Sequence, residues 1–186
     1  IYCCISLMKD LIKNFESFIK SELLHSDPKN LYQPVKYILE SGGKRLRPLI
    51  TMSVSDILSN DSIKALPASA SLEIFHNFTL AHDDIMDNSL MRRGKETIHS
   101  KWDINTGILS GDVMLIISYE FLKKYDDITY LELSKQLIET SRLLCEGQQY
   151  DIDFSNQNIV DEEKYFKMIQ NKTAELIACA YKFGGI

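Results

Sequence analysis

Three aspartates, Asp83, Asp84 and Asp87, follow an apolar run of the sequence that ends at His82. If this run is helical, Asp83 and Asp87 lie one turn apart on one face, with Asp84 beside them. Like charges at this spacing repel, so the cluster does not stabilise a helix by itself. A divalent ion between the carboxylates would turn this repulsion into attraction. Carboxylates offer only oxygen as ligands, which suits Mg²⁺, and Mg²⁺ often completes its coordination shell with phosphate oxygens. The cluster therefore indicates a metal-bridged phosphate or diphosphate site, the alternative being a solvated helix end.

Two groups of cations accompany the aspartates. Arg92 and Arg93 follow them closely, and guanidinium groups can hold phosphate oxygens bidentately. A second group precedes Pro48, which is tolerated in the first turn of a helix, so its members fall at a helix N-terminus where free amides and the helix dipole favour anions. This group lies behind two glycines and consists of Lys44, Arg45 and Arg47. The group of Lys44, Arg45 and Arg47 predicts an anion-binding cradle, of which Arg45 is the least certain member. The alternative is that these cations are simply solvated at a turn.

Composition excludes several function classes. The 186 residues are 45% hydrophobic and 25% charged, which is ordinary globular composition, and the net charge of -5 argues against a general nucleic-acid binder. No apolar run approaches the roughly 20 residues of a membrane span. The cysteines show no metal-ligand spacing and are expected to be reduced thiols of a cytoplasmic protein. Residues 1–7 form an apolar leader that does not resemble a signal peptide, and we expect the native protein to start at Met8 or the leader to be an artefact.

Helical periodicity runs through almost the whole chain, without strand-like alternation. The segment 88–105 is expected to be a polar connection, 104–125 to be a very apolar, buried helix, and Asp126-Asp127 to lie in a helix–helix linker. These patterns predict an all-α fold with helices packed around a central cavity. The predicted helices span 8–24, 31–41 with Gly42 as its C-terminal cap, 67–87, 104–125, 128–153, and a last helix that Asp161 caps and Gly184-Gly185 ends or kinks.

Several ordered motifs resemble those of the trans-isoprenyl diphosphate synthases of the polyprenyl synthetase family. They are GGKRLRP at 42–48, HNFTLAHDDIMDNSLMRRG at 76–94, and KTAELI at 172–177 followed by GGI at 184–186. The resemblance begins near Lys36 and implies an isoprenoid synthase-type helix bundle. The family carries a second aspartate-rich motif beyond the GGI segment, and this chain stops before it. The resemblance therefore implies a single domain at 8–186 that is truncated, with the C-terminal helices absent.

The resemblance also implies roles for individual residues. Asp83, Asp84, Asp87 and Lys172 would be catalytic, Asp83 and Asp87 would bind Mg²⁺, and Asp84 would support them. Two diphosphates would be bound by two further sets. The isopentenyl diphosphate set is Gly43, Lys44, Arg47, His76 and Arg93; the allylic diphosphate set is Arg92, Gln148, Asp151, Lys172 and Thr173.

The implied reaction is head-to-tail condensation of isopentenyl diphosphate with an allylic diphosphate. Thr79 lies one turn before Asp83, and a bulky Phe78 beside it is expected to limit the apolar tunnel, which favours farnesyl or geranylgeranyl diphosphate as product. The resemblance implies a homodimer. One alternative is a non-catalytic subunit or inactive fragment, and we expect the chain alone to be weakly active or inactive. Another is a terpene cyclase, but a cyclase has no use for a second diphosphate site.

Overall fold

The computed structural model describes the backbone of residues 2–186 and the side chains from Met8 onward. Ile1 and the side chains of 2–7 lie outside that description, and the leader interpretation falls on them. The all-α prediction is confirmed. The helices are α1 (Tyr2–Glu22), α2 (Lys29–Leu39), α3 (Leu46–Ser59), α4 (Leu66–Met86), α5 (Ile98–Lys101), α6 (Ile104–Leu122), α7 (Asp127–Ser155), α8 (Glu162–Ile169) and α9 (Glu175–Gly185), with a 3₁₀ turn at Ile63–Ala65 and a π-helical turn at Gln170–Ala174.

Helix α4 is the centre of the fold. It packs most extensively against α6 and also contacts α3, α2, α1 and α9. Leu72 and Phe75 face one cluster of the core and Ile74 faces another, and each is at most 1% exposed. A helix that is apolar all round is expected to be buried on every side. The aspartates at the C-terminal end of α4 therefore emerge from the interior of the bundle.

The turn between α2 and α3 differs in detail from its prediction. Helix α2 ends at Leu39 with Glu40 as its cap residue, so Gly42 is not the cap. Gly42 and Gly43 have φ of +81° and +144°, which L-residues with a side chain rarely adopt. Helix α3 begins at Leu46, and Pro48 falls within its first turn as expected. The two glycines thus form a tight reversal ahead of the cationic helix start.

The connection at 88–105, which the sequence marks only as polar, contains regular structure. It contains a short antiparallel hairpin, β1 (Met91–Arg92) and β2 (Lys95–Glu96), followed by α5. Arg93 and Gly94 form its two-residue loop with φ of +54° and +76°, the geometry that suits a tight hairpin turn. The Tyr37 hydroxyl of α2 donates a hydrogen bond to the Glu96 carbonyl at 2.9 Å. This tether fixes Arg92 and Arg93 beside the α2–α3 turn.

The helix predicted as buried at 104–125 is buried on one face only. Helix α6 ends at Leu122, and only one face packs on the core, through residues such as Met114 and Ile117. The opposite face exposes four large apolar side chains to between 41% and 59%: Ile104, Ile108, Leu109 and Ile116. None of the helices described from Tyr2 onward is both long and apolar enough to cross a bilayer.

The last predicted helix is interrupted. Helix α8 passes through the π-helical turn at Gln170–Ala174 into α9. The backbone of Asn171 and Lys172 approaches Gly147 of α7 so closely that a Cβ at Gly147 would overlap it. A π-bulge inside a helix often marks a functional position. Here it brings Lys172 against α7.

Candidate functional site

A cavity of about 360 Å³ lies between α4, α7 and the π-helical turn. Its walls are mainly apolar, and polar side chains gather at its edges. The lining residues that the sequence analysis predicted are Arg47, His76, Phe78, Thr79, Asp83, Gln148, Lys172 and Thr173. Lining residues that it did not assign to the site include His82, Met86, Ser141, Cys145, Gln149 and Ile152.

At one end of the cavity, the carboxylate-rich end, Asp83 and Lys172 line the cavity, and Asp151 and Asp87 lie near Lys172. The Lys172 ammonium lies 2.5 Å from Asp151 Oδ2 and 3.7 Å from Asp83 Oδ1. Burial lowers the pKa of Lys172, but the hydrogen bond to Asp151 and the charges of Asp83, Asp151 and Asp87 outweigh it, so the pKa is raised above its usual value. Lys172 therefore stays protonated among three carboxylates contributed by two helices.

Asp84 occupies a different environment from its two neighbours. It is only 2% exposed, and its Oδ1 accepts a hydrogen bond from Arg92 Nε at 2.7 Å. Burial raises the pKa of Asp84 although the hydrogen bond and charge of Arg92 oppose that shift. Arg92 also approaches Asp83 at 3.6 Å. Asp84 thus supports the site indirectly by orienting Arg92, while Asp83 remains directed toward the cavity that it lines.

The second group, the cation-rich end, is centred on His76, which lies seven residues before Asp83 on α4 and lines the cavity together with Arg47. Arg93 and Arg45 lie near enough for their charges to act on His76. His76 is enclosed, and burial followed by the charges of Arg47, Arg93, Arg92 and Arg45 lowers its pKa to about 3. His76 is therefore neutral at physiological pH and can donate one hydrogen bond. Burial also lowers the pKa values of the Arg47 and Arg93 guanidinium groups. This crowding of positive charge is suited to binding an anion.

Arg93 and the glycine turn are in direct contact. Arg93 Nη1 donates a hydrogen bond to the Gly42 carbonyl, and its guanidinium lies against Gly43, where a Cβ would come within 2.8 Å of it. Gly43 is thus required both for its backbone conformation and for this close approach. Lys44 is exposed on the same turn and is not among the residues that line the cavity. Asp87, exposed at the end of α4, is likewise outside the lining.

Arg45 does not belong to an open anion cradle, contrary to the sequence prediction. It is 8% exposed and points into the protein, where Nη1 donates to Glu73 Oε1 at 2.7 Å and Nη2 donates to the Leu39 carbonyl at 2.6 Å. Glu73 itself is 3% exposed. Glu73 was not among the predicted site residues. It is a charged residue in an otherwise apolar helix, three positions before His76, and such a residue is a sign of a buried ion pair.

Phe78 and Thr79 form part of the cavity wall below Asp83. The Phe78 ring contacts Phe75 and His82 in edge-to-face geometry, with centroid distances of 5.4 Å and 4.9 Å. His82 is itself fixed by the 3.1 Å contact of its Nε2 with the Ile108 carbonyl of α6. The aromatic wall is therefore held from two sides.

The donor chemistry at the carboxylate-rich end fits a hard divalent cation. Asp83 and Asp87 supply only oxygen and lie one turn apart, with Asp151 across Lys172. Within the described residues, no three His, Cys, Asp or Glu side chains already stand in coordination geometry. Two carboxylates with further oxygens from phosphate would suit Mg²⁺, which retains waters and shares ligands with substrates.

The arrangement as a whole can bind anions and accommodate an apolar group between them. Fixed guanidinium and ammonium groups in a partly enclosed cavity stabilise negative charge more strongly than they would in water. The cavity wall between the two ends is mainly apolar. Departure of a diphosphate group next to an apolar chain is the chemistry that these features favour.

A sequence model of the polyprenyl synthetase family matches residues 28–186. The chain is 40% identical over 186 residues to a protein named geranylgeranyl diphosphate synthase from Saccharolobus solfataricus, and the match covers 98% of this chain but 56% of that protein. It is 35% identical over 180 residues to a protein named geranylfarnesyl diphosphate synthase from Natronomonas pharaonis, which covers 87% of this chain and 53% of that protein. The chain thus spans about half the length of the curated relatives it matches.

Solved structures give the same answer for the fold. The chain superposes on a crystal structure of a geranylgeranyl pyrophosphate synthase with a TM-score of 0.94 at 46% identity, covering 96% of this chain and 54% of that one. A geranylgeranyl pyrophosphate synthetase from Geoglobus acetivorans superposes with a TM-score of 0.92 at 36% identity, covering 96% and 59%. The expected isoprenoid synthase-type bundle is therefore confirmed.

Proposed function

Because this chain belongs to the polyprenyl synthetase family, we propose that the protein condenses isopentenyl diphosphate with an allylic diphosphate to form a short-chain prenyl diphosphate. The observation that carries the proposal is the opposite charge of the two ends of one apolar cavity. Arg47, His76 and Arg93 would bind isopentenyl diphosphate at the cation-rich end. Arg92 and Lys172 would bind the allylic diphosphate at the carboxylate-rich end.

Each predicted site residue has a place in this proposal. Gly43 and Lys44 lie on the turn that Arg93 contacts, so they would complete the isopentenyl diphosphate site. Gln148 and Thr173 line the cavity beside Lys172, and Asp151 holds its ammonium, so these residues would complete the allylic site. Mg²⁺ bound by Asp83 and Asp87, with Asp84 orienting Arg92, would supply the Lewis acidity that helps the diphosphate depart.

The protein's own groups would carry the remaining parts of the reaction. Lys172 and Arg92 would stabilise negative charge that builds on the leaving diphosphate. The turn and Arg93 would orient the second substrate so that its double bond faces the allylic carbon. The apolar wall would exclude water, which would otherwise capture the allylic carbocation.

Product length would depend on the aromatic wall. Phe78 narrows the cavity below Asp83, held by Phe75 and His82. We propose farnesyl or geranylgeranyl diphosphate as the product, consistent with the relatives named geranylgeranyl diphosphate synthase.

We also propose that the protein is a homodimer, and that it acts in the cytoplasm. The four apolar side chains exposed on α6 form one broad face, and exposed apolar patches commonly mark interaction surfaces. Analytical ultracentrifugation would test the dimer, and a purely monomeric protein at micromolar concentration would contradict it.

Incubation of the gene's full product with isopentenyl diphosphate, dimethylallyl diphosphate and Mg²⁺ tests the proposed activity. The expected result is a prenyl diphosphate whose size chromatography determines, with the activity lost on chelation. The 186-residue chain assayed in parallel should be weakly active or inactive. Binding of both diphosphates without any product from the full-length protein would instead support a non-catalytic subunit.

A further inference from the structure

We propose that Glu73 is a positioning residue for the isopentenyl diphosphate site, holding the α2–α3 turn and its cations in place through Arg45. The inference rests on the proposed function of that site. Glu73 does not line the cavity, so any effect on the substrate must pass through another residue. Arg45 is the residue through which it acts.

The contacts of Arg45 define the turn. Arg45 has φ of +48°, a left-handed conformation that a side-chain-bearing residue adopts only when its surroundings enforce it. Its two hydrogen bonds provide that enforcement, one to Glu73 of α4 and one to the Leu39 carbonyl at the end of α2. The Arg45 guanidinium therefore links the α2–α3 turn both to α2, which precedes it, and to α4 at the centre of the fold.

Glu73 lies in the buried interior of α4 and is 3% exposed. Its main-chain carbonyl accepts a hydrogen bond from the Asn77 side chain at 2.7 Å, and its carboxylate is held by Arg45 Nη1. His76 lies three residues after Glu73, so the two side chains share one side of the helix. One stretch of α4 thus supplies both a residue of the anion site and the anchor of the turn that faces it.

The charges support the same role. Arg47 and Arg93 have pKa values lowered mainly by burial, and the charge of Glu73 acts in the opposite direction on both. Guanidinium groups that crowd together before a diphosphate arrives repel one another. A buried carboxylate among them offsets this repulsion, so the site is assembled in advance rather than by the substrate.

The position of the turn then decides where the substrate contacts lie. Lys44 and Arg47 flank Arg45 in sequence, and Arg93 reaches Gly42 on the same turn. If the Arg45 side chain loses these hydrogen bonds, the turn that positions Lys44, Arg47 and Arg93 is no longer held in place. The carboxylate-rich end is held by different pairs, Arg92 with Asp84 and Lys172 with Asp151, so it should be little affected.

Glu73→Gln in the gene's full product tests the proposal, because glutamine keeps the size and an acceptor oxygen but removes the charge. Calorimetric titration with isopentenyl diphosphate alone and with dimethylallyl diphosphate alone, each with Mg²⁺, avoids turnover. The Kd for isopentenyl diphosphate should rise about tenfold or more, as expected for loss of a charge-assisted contact. The Kd for dimethylallyl diphosphate should change less than about threefold.

Glu132→Gln is the matched control, because Glu132 is an exposed glutamate of α7 that does not line the cavity. An unchanged or lower Kd for isopentenyl diphosphate in Glu73→Gln would overturn the proposal, and so would equal weakening of both diphosphates. If the wild-type protein binds neither diphosphate, the proposed function itself fails.

Arg45→Lys provides a second test if Glu73→Gln does not fold. Lysine preserves the ion pair with Glu73 but cannot reproduce the forked pair of bonds to Glu73 and the Leu39 carbonyl. The Kd for isopentenyl diphosphate should then rise about three- to tenfold, with dimethylallyl diphosphate unaffected. An unchanged Kd in a folded Arg45→Lys protein would overturn the proposal.

Discussion

The two ends of the cavity surround a titratable side chain with charges of opposite sign. At the cation-rich end, burial and then the charges of nearby guanidinium groups lower the pKa of His76 to about 3. At the carboxylate-rich end, carboxylates surround Lys172 and raise its pKa. Both ends are built on α4, seven residues apart, at His76 and Asp83.

This difference suggests how each end would treat a diphosphate. The cation-rich end presents fixed positive charge, so it can bind an anion directly. The carboxylate-rich end presents negative charge around Lys172, so an anion there requires an additional cation to bridge it. The first end is therefore suited to holding a group that stays bound, and the second to assisting one that leaves. The following experiments test that division, beginning with the largest expected effect.

Asp83→Asn should abolish most turnover while leaving the cation-rich end intact. The change removes a carboxylate charge from the proposed metal site at nearly constant shape. By comparison with other electrostatic stabilisers of transition states, kcat in the gene's full product should fall about 10²- to 10³-fold. Incorporation of labelled isopentenyl diphosphate measures turnover, and calorimetry should show the affinity for isopentenyl diphosphate changed by less than about threefold.

Asp126→Asn is the control for Asp83→Asn. Asp126 and Asp127 do not form a linker as predicted: Asp127 is the first residue of α7, and the Asp126 side chain caps the helix by accepting hydrogen bonds from the Ile128 and Thr129 amides. Asparagine caps a helix equally well, so activity should be retained. Retention of activity in Asp83→Asn would contradict the assignment of the carboxylate-rich end.

Arg47→Gln should produce the converse pattern. Arg47 lines the cavity beside His76, so its removal should weaken binding of isopentenyl diphosphate more than it slows chemistry. Loss of a charge-assisted hydrogen bond worth about 1.5–3 kcal/mol predicts a roughly 10- to 100-fold rise in KM for isopentenyl diphosphate. Steady-state kinetics with each substrate varied in turn separates this effect from a change in kcat.

Arg142→Gln controls for removal of an arginine, because Arg142 pairs with Glu146 on the exposed face of α7. A larger effect of Arg47→Gln on the KM of the allylic substrate than on that of isopentenyl diphosphate would reverse the division between the two ends.

Phe78→Ala examines the wall between the ends. Removal of the ring that contacts Phe75 and His82 should deepen the cavity and shift the product toward longer chains. The ratio of products by reversed-phase chromatography is independent of how much protein is active, so moderate destabilisation does not obscure the result. Phe166→Ala, at an exposed ring of α8, is the matched control. An unchanged product distribution would show that Phe78 does not limit chain length.

The helices could be predicted because their apolar spacing is a local property of the sequence. Helix α4 begins at Leu66 and ends at Met86, within one residue of the predicted 67–87 at each end. The hairpin at 91–96 could not be predicted in the same way. Its strands have two residues each, and its anchoring depends on Tyr37, 59 residues distant from Glu96 along the chain. Contacts of this kind leave no periodic signal.

The candidate site shows the same limit. The spacing of Asp83 and Asp87 and the positions of Arg92 and Arg93 are local features of the sequence, and they are the basis of the predicted phosphate site. The inward rotation of Arg45 could not be predicted from local features, because it depends on a left-handed backbone and on a carboxylate 28 residues away. The exposed face of α6 is a similar case, since hydrophobicity alone does not reveal which side the core occupies.

His76 gives the smallest predicted effect. Its pKa is about 3 in the folded protein, below the roughly 6.5 of an unfolded chain. Below pH 6.5 the unfolded chain therefore binds a proton that the folded protein does not, and stability is lost as the pH falls toward 3. This one group contributes a slope of up to about 1.4 kcal/mol per pH unit. His76→Asn should remove that slope from chemical denaturation curves, whereas His25→Asn, at a half-exposed ring, controls for the loss of a histidine.

Inorganic diphosphate provides a further test of the predicted pKa of His76. Since Arg47 and Arg93 lower the pKa of His76, a bound anion between these cations should offset their charge and raise that pKa. Because diphosphate itself titrates in this range, the quantity to compare is the difference in stability slope between wild type and His76→Asn from pH 6.5 to pH 4, which should become smaller when diphosphate is present. An identical difference with and without diphosphate, at a concentration where calorimetry shows binding, would mean that the anion binds away from the cation-rich end. The contrast with Lys172, whose pKa the carboxylates raise, would then no longer describe two ends of one substrate cavity.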